Sequence, residues 1–397
     1  MSDSQRKAAA PDPLDFLAVD ADLSDTERDV RDAIREFSSR ELLPNVADWF
    51  EAGTLPDPRG LAKAFGDLGV LGMHLEGYGC GGSSAVAYGL ACRELEAVDS
   101  GLRSFVSVQG SLAMAAIHKF GSEEHKNEWL PRMATGEAIG CFGLTEPDSG
   151  SDPGSMRTRA HKDGSDWVLN GTKMWITNGS VADVAVVWAA TDEGIRGFAV
   201  PTDTPGFTAN VIHRKLSLRA SITSELVLED VRLPAEAVLP GSKGLGAPLS
   251  CLNEARYGIV WGAAGAARAC YEAAREYSLT REQFGKPIGS FQLTQRKLAD
   301  MVVDVGHANM TALRIGRLKD QGNCHHNHVS FGKFANVAAA QRVAASARGL
   351  HGANGITLEY PVMRHMVNLE TVATYEGTED IHALSIGQAV TGLSAFR

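Results

Sequence analysis

Along the chain the apolar positions change period twice. From Ser24 the stretch SDTERDVRDAIREFSSREL sets Val30, Ala33, Ile34 and Phe37 at helical spacing behind a Ser24/Glu27 capping box, which predicts an amphipathic helix. AVAYGLACRELEAV (85–98) and SLAMAAIHKFG (111–121) carry helical texture to about residue 130, interrupted by the turn-forming GYGCGGSS. Between about 140 and 245 the pattern shortens to DWVLNG, MWITN, VAVVWAA, RGFAVP and SELVLEDVRLP, runs rich in β-branched and aromatic residues and parted by Gly, Asn, Asp and Pro. These predict antiparallel strands. After Pro248 long helical runs return in NEARYGIVWGAAGAARACYEAAREYSLTRE, QLTQRKLADMVVDVGHANMTALRIGRLKD and FANVAAAQRVAASARGL.

The order predicts an α+β, mostly α protein. Its expected parts are a flexible N-terminus (1–15), an N-terminal helical domain (16–139), a β-domain (140–247) and a C-terminal helical bundle (248–397). Strands do not alternate with helices and no G-x-G-x-x-G opens a helix, so a doubly wound nucleotide fold is excluded and any cofactor must be held differently.

Composition narrows the class. With 44% hydrophobic residues in 397, the chain can bury a large core, and a formal charge of −10 argues against a general nucleic-acid or anionic-membrane binder. Six scattered cysteines, no C-x-x-C pair, no secretory leader and no apolar run of roughly 20 residues lead us to expect reduced thiols and a cytoplasmic location. CHHNH (324–328) offers soft and imidazole donors but fits no established zinc spacing, so no metal is expected.

Four stretches carry candidate chemistry. The amides and hydroxyls of CFGLTEPDSGSDPGSM (141–156) suit a polar, planar or anionic ligand, and equally a plain turn between helix and strand. In GTKMWITNG (171–179), Trp175 beside Thr177 offers a stacking plane and a hydroxyl for a ring's edge. In RELEAVDSGLRSFVSVQGS (93–111), Arg103 and Ser107 lie four apart on one helix face and can jointly hold a distal carboxylate. Glu96 shares that face if the helix runs through Ser100 and Gly101; a helix-start arginine paired with Glu96 or Asp99 at the surface is the other reading. Finally, VATYEGTEDIHAL (372–384) sets Glu376 before Gly377, a residue that costs a helix stability and must be favoured there for another reason. Taken alone, Glu376 suits a surface carboxylate.

Six stretches taken in order, CFGLTEPDSGSDPGS, KMWITNGSVADV, LNEARYGIVWG, SLTREQFGKPIGSFQLTQRKLADM, HGANGITLEYPVMRH and TYEGTEDIHAL, resemble the acyl-CoA dehydrogenase family of flavoproteins over nearly the full length. Within that family the ELE..DSG.RS..SVQ pattern is similar to that of the glutaryl-CoA dehydrogenases. The resemblance implies an N-terminal helical domain, a middle antiparallel β-domain and a C-terminal four-helix bundle, assembled as a homotetramer with one FAD per subunit.

It also implies roles. Phe142, Leu144, Thr145, Gly150 and Ser151 correspond to the loop over the flavin, and Trp175, Ile176 and Thr177 to the strand beside its ring. Arg281, Phe284 and Gln292 would reach the FAD of a neighbouring subunit. Gly349, Gly352, Thr378 and Phe396 are further expected cofactor contacts. Glu376 corresponds to the base that takes a proton from the carbon next to the thioester, its own N–H serving the developing enolate, while hydride leaves the next carbon for the flavin. Tyr375 and Gly377 flank it against the substrate, Ser151, Asn253 and Arg256 match contacts to the thioester arm, and Glu96, Arg103, Ser104 and Ser107 stand at the acyl group's far carboxylate.

The implied reaction is FAD-dependent oxidation of glutaryl-CoA to glutaconyl-CoA, then decarboxylation to crotonyl-CoA, with electrons passed to an electron-transfer flavoprotein. The same residues also suit a non-decarboxylating or short-chain acyl-CoA dehydrogenase, an oxidase, or, in another class, a non-catalytic flavin- or CoA-binding scaffold. The chain departs from the family pattern at Leu102, where relatives usually carry tyrosine, at Gly349, and at Ala353 in the HGANG turn.

Overall fold

The computed structural model describes residues 10–396; residues 1–9 of the expected flexible N-terminus, and Arg397, lie outside the described residues. The capping box predicted at Ser24 is present: Ser24 Oγ accepts from the Glu27 N–H at 3.3 Å, and Glu27 Oε2 accepts from the Ser24 N–H at 2.8 Å, opening α1 (Asp25–Phe37). α2 (Val46–Ala52) and α3 (Pro58–Asp67) follow, then β1 (Glu76–Gly77) and β2 (Cys80–Gly81) at the glycine-rich turn. α4 (Ala85–Val98) is buried along nearly all its length, which accounts for its lack of a polar face.

The helix does not continue through Ser100. Asp99 is extended, and its Oδ1 accepts from the Gly101 N–H at 2.7 Å to start α5 (Ser100–Ser107) as a separate segment. Its Oδ2 pairs with the buried Arg364 at 2.8 Å. From α5 the helix widens into a π-type stretch (Val108–Met114) before α6 (Ala115–Phe120) and α7 (Glu123–Ala134). Gln109 in that stretch donates to the Met133 and Ala138 carbonyls and accepts from the Gly140 N–H, which locks the helical layer to the edge of the sheet.

The middle sheet comprises β3 (Gly140–Gly143), β4 (Arg159–Asp163), β5 (Asp166–Thr177), β6 (Val184–Thr191), β7 (Gly194–Pro201), β8 (Phe207–Val211) and β9 (Thr223–Leu233), in the order β3-β6-β4-β5-β9-β8 with β7 on β6. Its pairings are mainly antiparallel, as expected. Two depart, both on β6: β3 runs parallel to it, with the whole segment from Leu144 to Asp183 as the crossover that parallel pairing requires, and β4 meets it in parallel through Arg159 and Ala190. DWVLNG and MWITN, separate runs in the sequence pattern, form the single strand β5, bulged between Leu169 and Gly171 and again between Lys173 and Ile176.

The C-terminal helices are α8 (Gly246–Thr280), α9 (Gln292–Asp320), α10 (His326–Leu350), α11 (Pro361–Thr374) and α12 (Glu379–Thr391), with the hairpin of β10 (Glu282–Gln283) and β11 (Lys286–Pro287) between α8 and α9. The 35 residues of α8 extend for roughly 52 Å and pack against α9, α10 and α11 and, on the other side, against α4. Among the described residues no helix is long and apolar enough to cross a membrane.

Glycines let α8 lie against α4. A Cβ on Gly262 would stand 1.9 Å from Glu96 Oε2, and one on Gly265 would stand 2.0 Å from the Arg93 carbonyl oxygen. Beside this contact Glu94 is buried among Arg35 (2.9 Å), Arg93 (3.1 Å) and Arg268 (2.6 Å), a set of charges that satisfy one another. Gly265→Ala gains about 1 kcal/mol of helix propensity but sets a methyl group against main chain, so we expect a net loss of about 1–3 kcal/mol. Equilibrium denaturation measures it; a midpoint at or above that of the unsubstituted protein contradicts the close-packing account.

Candidate active site

Five elements deliver charged or polar groups to one buried region. Glu96 comes from the end of α4, Arg103, Ser104 and Ser107 from α5, Arg256 from α8, Lys333 from α10, and Tyr375, Glu376 and Gly377 from the loop between α11 and α12. Arg103 donates from Nε to Glu96 Oε2 at 2.6 Å and from Nη2 to the Tyr375 hydroxyl, and both Arg103 and Glu96 are almost wholly inaccessible. The helix break at Asp99 thus turns α5 so that the pair meets inside the protein, not at its surface. Burial alone would discharge Arg103; the carboxylate of Glu96 and the other partners hold its pKa above the ordinary value instead. Ser104 Oγ lies 3.2 Å from the Tyr375 hydroxyl, while Ser107 Oγ is buried without a partner. Burial pushes the Tyr375 phenol up to about 12, so it stays neutral.

Glu376 has an unusual main chain for a glutamate. Its φ is 53° and that of Gly377 is 91°, both in the left-handed region, which answers why a glycine follows it. As a residue it is half-buried, yet its Oε2 is shut from solvent with no hydrogen-bond partner. Burial raises its pKa, opposed by Arg103, Lys333 and Arg256 in that order, and the net direction is upward. Its carbonyl accepts from Arg256 Nε at 2.7 Å, whereas its own N–H makes no hydrogen bond among the described residues. A carboxyl group of raised pKa beside a free backbone donor can take a proton from a weak carbon acid and stabilise the oxyanion that results.

A second set of expected residues lies at the end of the sheet. Phe142 and Leu144 send their side chains into the core, so only their backbone is available to a ligand. Thr145 is half-buried, and its carbonyl accepts from the Met174 N–H at 2.8 Å, so the loop after β3 is bound to β5. The β5 bulge turns Trp175 outward (φ 65°, 60% exposed) and leaves Ile176 in the sheet core and Thr177 half-buried. An indole so exposed, in a sheet whose other tryptophans are buried, is a surface built for stacking. Gly150 and Ser151 are exposed on the nearby loop.

The segment between β8 and β9 joins the two sets. Asn178, just past β5, donates to the Ile222 carbonyl, while Leu218 N–H donates to Asn368 on α11 at 2.8 Å and Ser217 meets Thr371 at 2.5 Å. Asn253 lies one helical turn before Arg256, with Oδ1 buried and unpartnered, and Thr378 caps α12.

Other expected residues are not brought to this region. Arg281 and Phe284, the latter 93% exposed, lie past the far end of α8, roughly 36 Å along its axis from Arg256. Gln292 begins α9, Gly349 and Gly352 stand at the end of α10, and Phe396 is at the exposed C-terminus.

Sequence reasoning missed two lysines. Lys333 is 1% exposed, and its Nζ donates to the carbonyls of both Tyr375 and Gly377. Burial lowers its pKa, opposed by the carboxylate of Glu376. Lys173, also buried, donates to the Leu144 carbonyl at 3.0 Å and to Glu146 at 2.8 Å, fixing the loop after β3. The available signal was a lone lysine within an apolar run in each case, FGKFANVAAA and TKMWIT.

Three family models match successive parts of the chain: acyl-CoA dehydrogenase N-terminal domain over residues 24–137, middle domain over 141–231 and C-terminal domain over 242–391. A glutaryl-CoA dehydrogenase of Mycobacterium smegmatis, solved in complex with FADH2, is 62% identical and superposes with a TM-score of 0.96, covering 98% of this chain and 100% of its own. Another structure of glutaryl-CoA dehydrogenase from that organism is 64% identical, with a TM-score of 0.95 over 97% and 99% of the two chains. The human mitochondrial short-chain specific acyl-CoA dehydrogenase is 36% identical over 381 residues, 94% of this chain and 92% of that protein.

Buried imidazoles give the fold a pH dependence, among them His74, which burial lowers to about 4. Burial lowers His365, on α11, and His382, on α12 beside Gly377, each to about 3. Unfolded imidazoles take up protons near pH 6.5, so their contribution is complete above that pH and is lost as pH falls toward 3. Each adds a slope of up to ~1.4 kcal/mol per pH unit. Denaturation at pH 7, 6 and 5 should show falling stability, with a smaller slope in His365→Gln; identical slopes in both proteins would exclude this assignment.

Proposed function

The chain belongs to the acyl-CoA dehydrogenase family, and from that premise we propose that it oxidises glutaryl-CoA to glutaconyl-CoA with FAD and then releases carbon dioxide to give crotonyl-CoA. The observation that carries the reading is the balance of buried charge. Arg103, Arg256 and Lys333 face Glu96 and Glu376, three basic side chains against two acidic ones, and the substrate's own distal carboxylate would balance the set. A plain fatty acyl chain would leave it unbalanced.

The residues fit FAD. Trp175 offers the exposed plane, Thr177 and the backbone of Leu144 and Thr145 stand beside it, and Arg281, Phe284 and Gln292 remain available to the cofactor of a neighbouring subunit. When bound, FAD supplies the acceptor for the hydride that leaves the substrate's β-carbon. The chain's own residues do the rest. Two of the five N–H donors of Arg103 are engaged, so others are free for the distal carboxylate, with the unpartnered Ser107 hydroxyl one turn away. Glu376 takes the proton from the α-carbon, and its N–H holds the thioester oxygen as negative charge develops there. After carbon dioxide leaves, the resulting dienolate must regain a proton, which Glu376 then carries.

The reading extends to an electron-transfer flavoprotein as electron acceptor, a homotetramer and a cytoplasmic setting. Apolar side chains exposed on α9 and α10, among them Met310, Phe331 and Phe334, support self-association.

Mass analysis of the product from glutaryl-CoA tests the reaction: crotonyl-CoA is expected, and bleaching of the flavin by butyryl-CoA alone would refute it. Glu376→Gln should retain FAD and lose ~10²–10⁴-fold in kcat. Arg103→Met should raise the KM for glutaryl-CoA by a factor on the order of 10² while affecting pentanoyl-CoA much less. Equal losses for both thioesters would contradict the role given to Arg103.

A further inference from the structure

We propose that Lys333 is a positioning residue for Glu376: by donating to the carbonyls on either side of it, this buried ammonium holds the left-handed turn that aims the carboxyl group and frees the adjacent N–H. The inference rests on the reading of Glu376 as the base. Three successive carbonyl oxygens, those of Tyr375, Glu376 and Gly377, each accept from a cation, the outer two from Lys333 and the middle one from Arg256. A strand alternates the direction of its carbonyls, and the interior of a helix uses them on its own N–H groups, so neither offers three consecutive carbonyls to outside donors. Two left-handed residues in succession achieve it here, and for the glutamate that conformation is costly.

Arg256 alone does not fix the turn. It holds the carbonyl of Glu376, while the peptide planes before and after it depend on Lys333. No carboxylate lies within ion-pairing distance of the Lys333 ammonium among the described residues, so its ligands are main-chain oxygens and its electrostatic effect on Glu376 acts through space. A buried ammonium held this way is expensive unless its fixed position serves something. The groups facing Glu376 are Cys92 from α4, Arg103 from α5, Arg256 from α8, Lys333 from α10 and Tyr375 from its own loop, with His382 of α12 against Gly377. Removing the Lys333 charge leaves the burial of Glu376 less opposed, so the carboxyl group should ionise at higher pH.

The test uses flavin-loaded Lys333→Gln and Lys333→Arg, with the unsubstituted protein and Glu376→Gln as references. Lys333→Gln should keep its flavin and a cooperative melt, lose about 10²-fold in kcat with glutaryl-CoA through misplacement of the base, and leave KM nearly unchanged. The acid limb of its kcat/KM profile should move to higher pH. Lys333→Arg, which restores the charge and the donors, should recover most of kcat and the original limb. Unchanged kcat and an unmoved limb in Lys333→Gln would overturn the inference while leaving the function standing. So would a loss that Lys333→Arg fails to rescue. Should Lys333→Gln not fold, Lys333→Arg decides: near-native kcat supports the role, and a folded, flavin-loaded but crippled Lys333→Arg refutes it. An unsubstituted protein that oxidises no acyl thioester removes both the function and this inference.

Discussion

A carboxyl group buried with an oxygen that meets no donor is the constraint on which the rest of this structure depends. Water would satisfy Glu376 far better than the interior does, and the cost of keeping it there is a raised affinity for protons. That cost is useful when the proton to be taken sits on carbon. Arg103, Lys333 and Arg256 oppose that rise without reversing it.

The scaffold makes this arrangement by bringing helices together at their backbones. Gly262 and Gly265 let α8 close on α4, which sets Arg256 and Glu96 in one region. The break at Asp99 redirects α5 and turns Arg103 back onto Glu96. α10 then reaches the loop after α11 with a lysine, and the segment between β8 and β9 binds the end of the sheet to α11. Movement of any of these elements changes distances around Glu376, so packing and chemistry are coupled directly.

Much of this was legible in the residues. The change of period from 3.6 to 2 and back marks the helical, β and helical parts, and the Ser24 capping box gives the start of α1. Gly377 after Glu376 signalled a special backbone, which the positive φ values explain. What spacing could not reveal depended on tertiary contact. The interruption at Asp99 is set by Arg364, more than 260 residues away in sequence, which no local pattern contains. The parallel pairing of β3 with β6 is invisible because CFG looks like the start of a loop. Lys333 looks like an ordinary lysine on an apolar helix until the turn it holds is seen. Phe142 and Leu144 matched the expected cofactor loop, yet their side chains serve the core, a division between backbone and side chain that one letter per residue does not express.

The central claim is that burial raises the proton affinity of Glu376 above that of an ordinary glutamate. A ¹³C-carboxyl NMR titration of the flavin-loaded protein, with Glu376→Gln used to assign the signal, measures this without turnover. The account predicts a midpoint above the ordinary glutamate value of about 4.3. A midpoint at or below that value would mean that the carboxylate is solvated or fully paired, and would contradict the account.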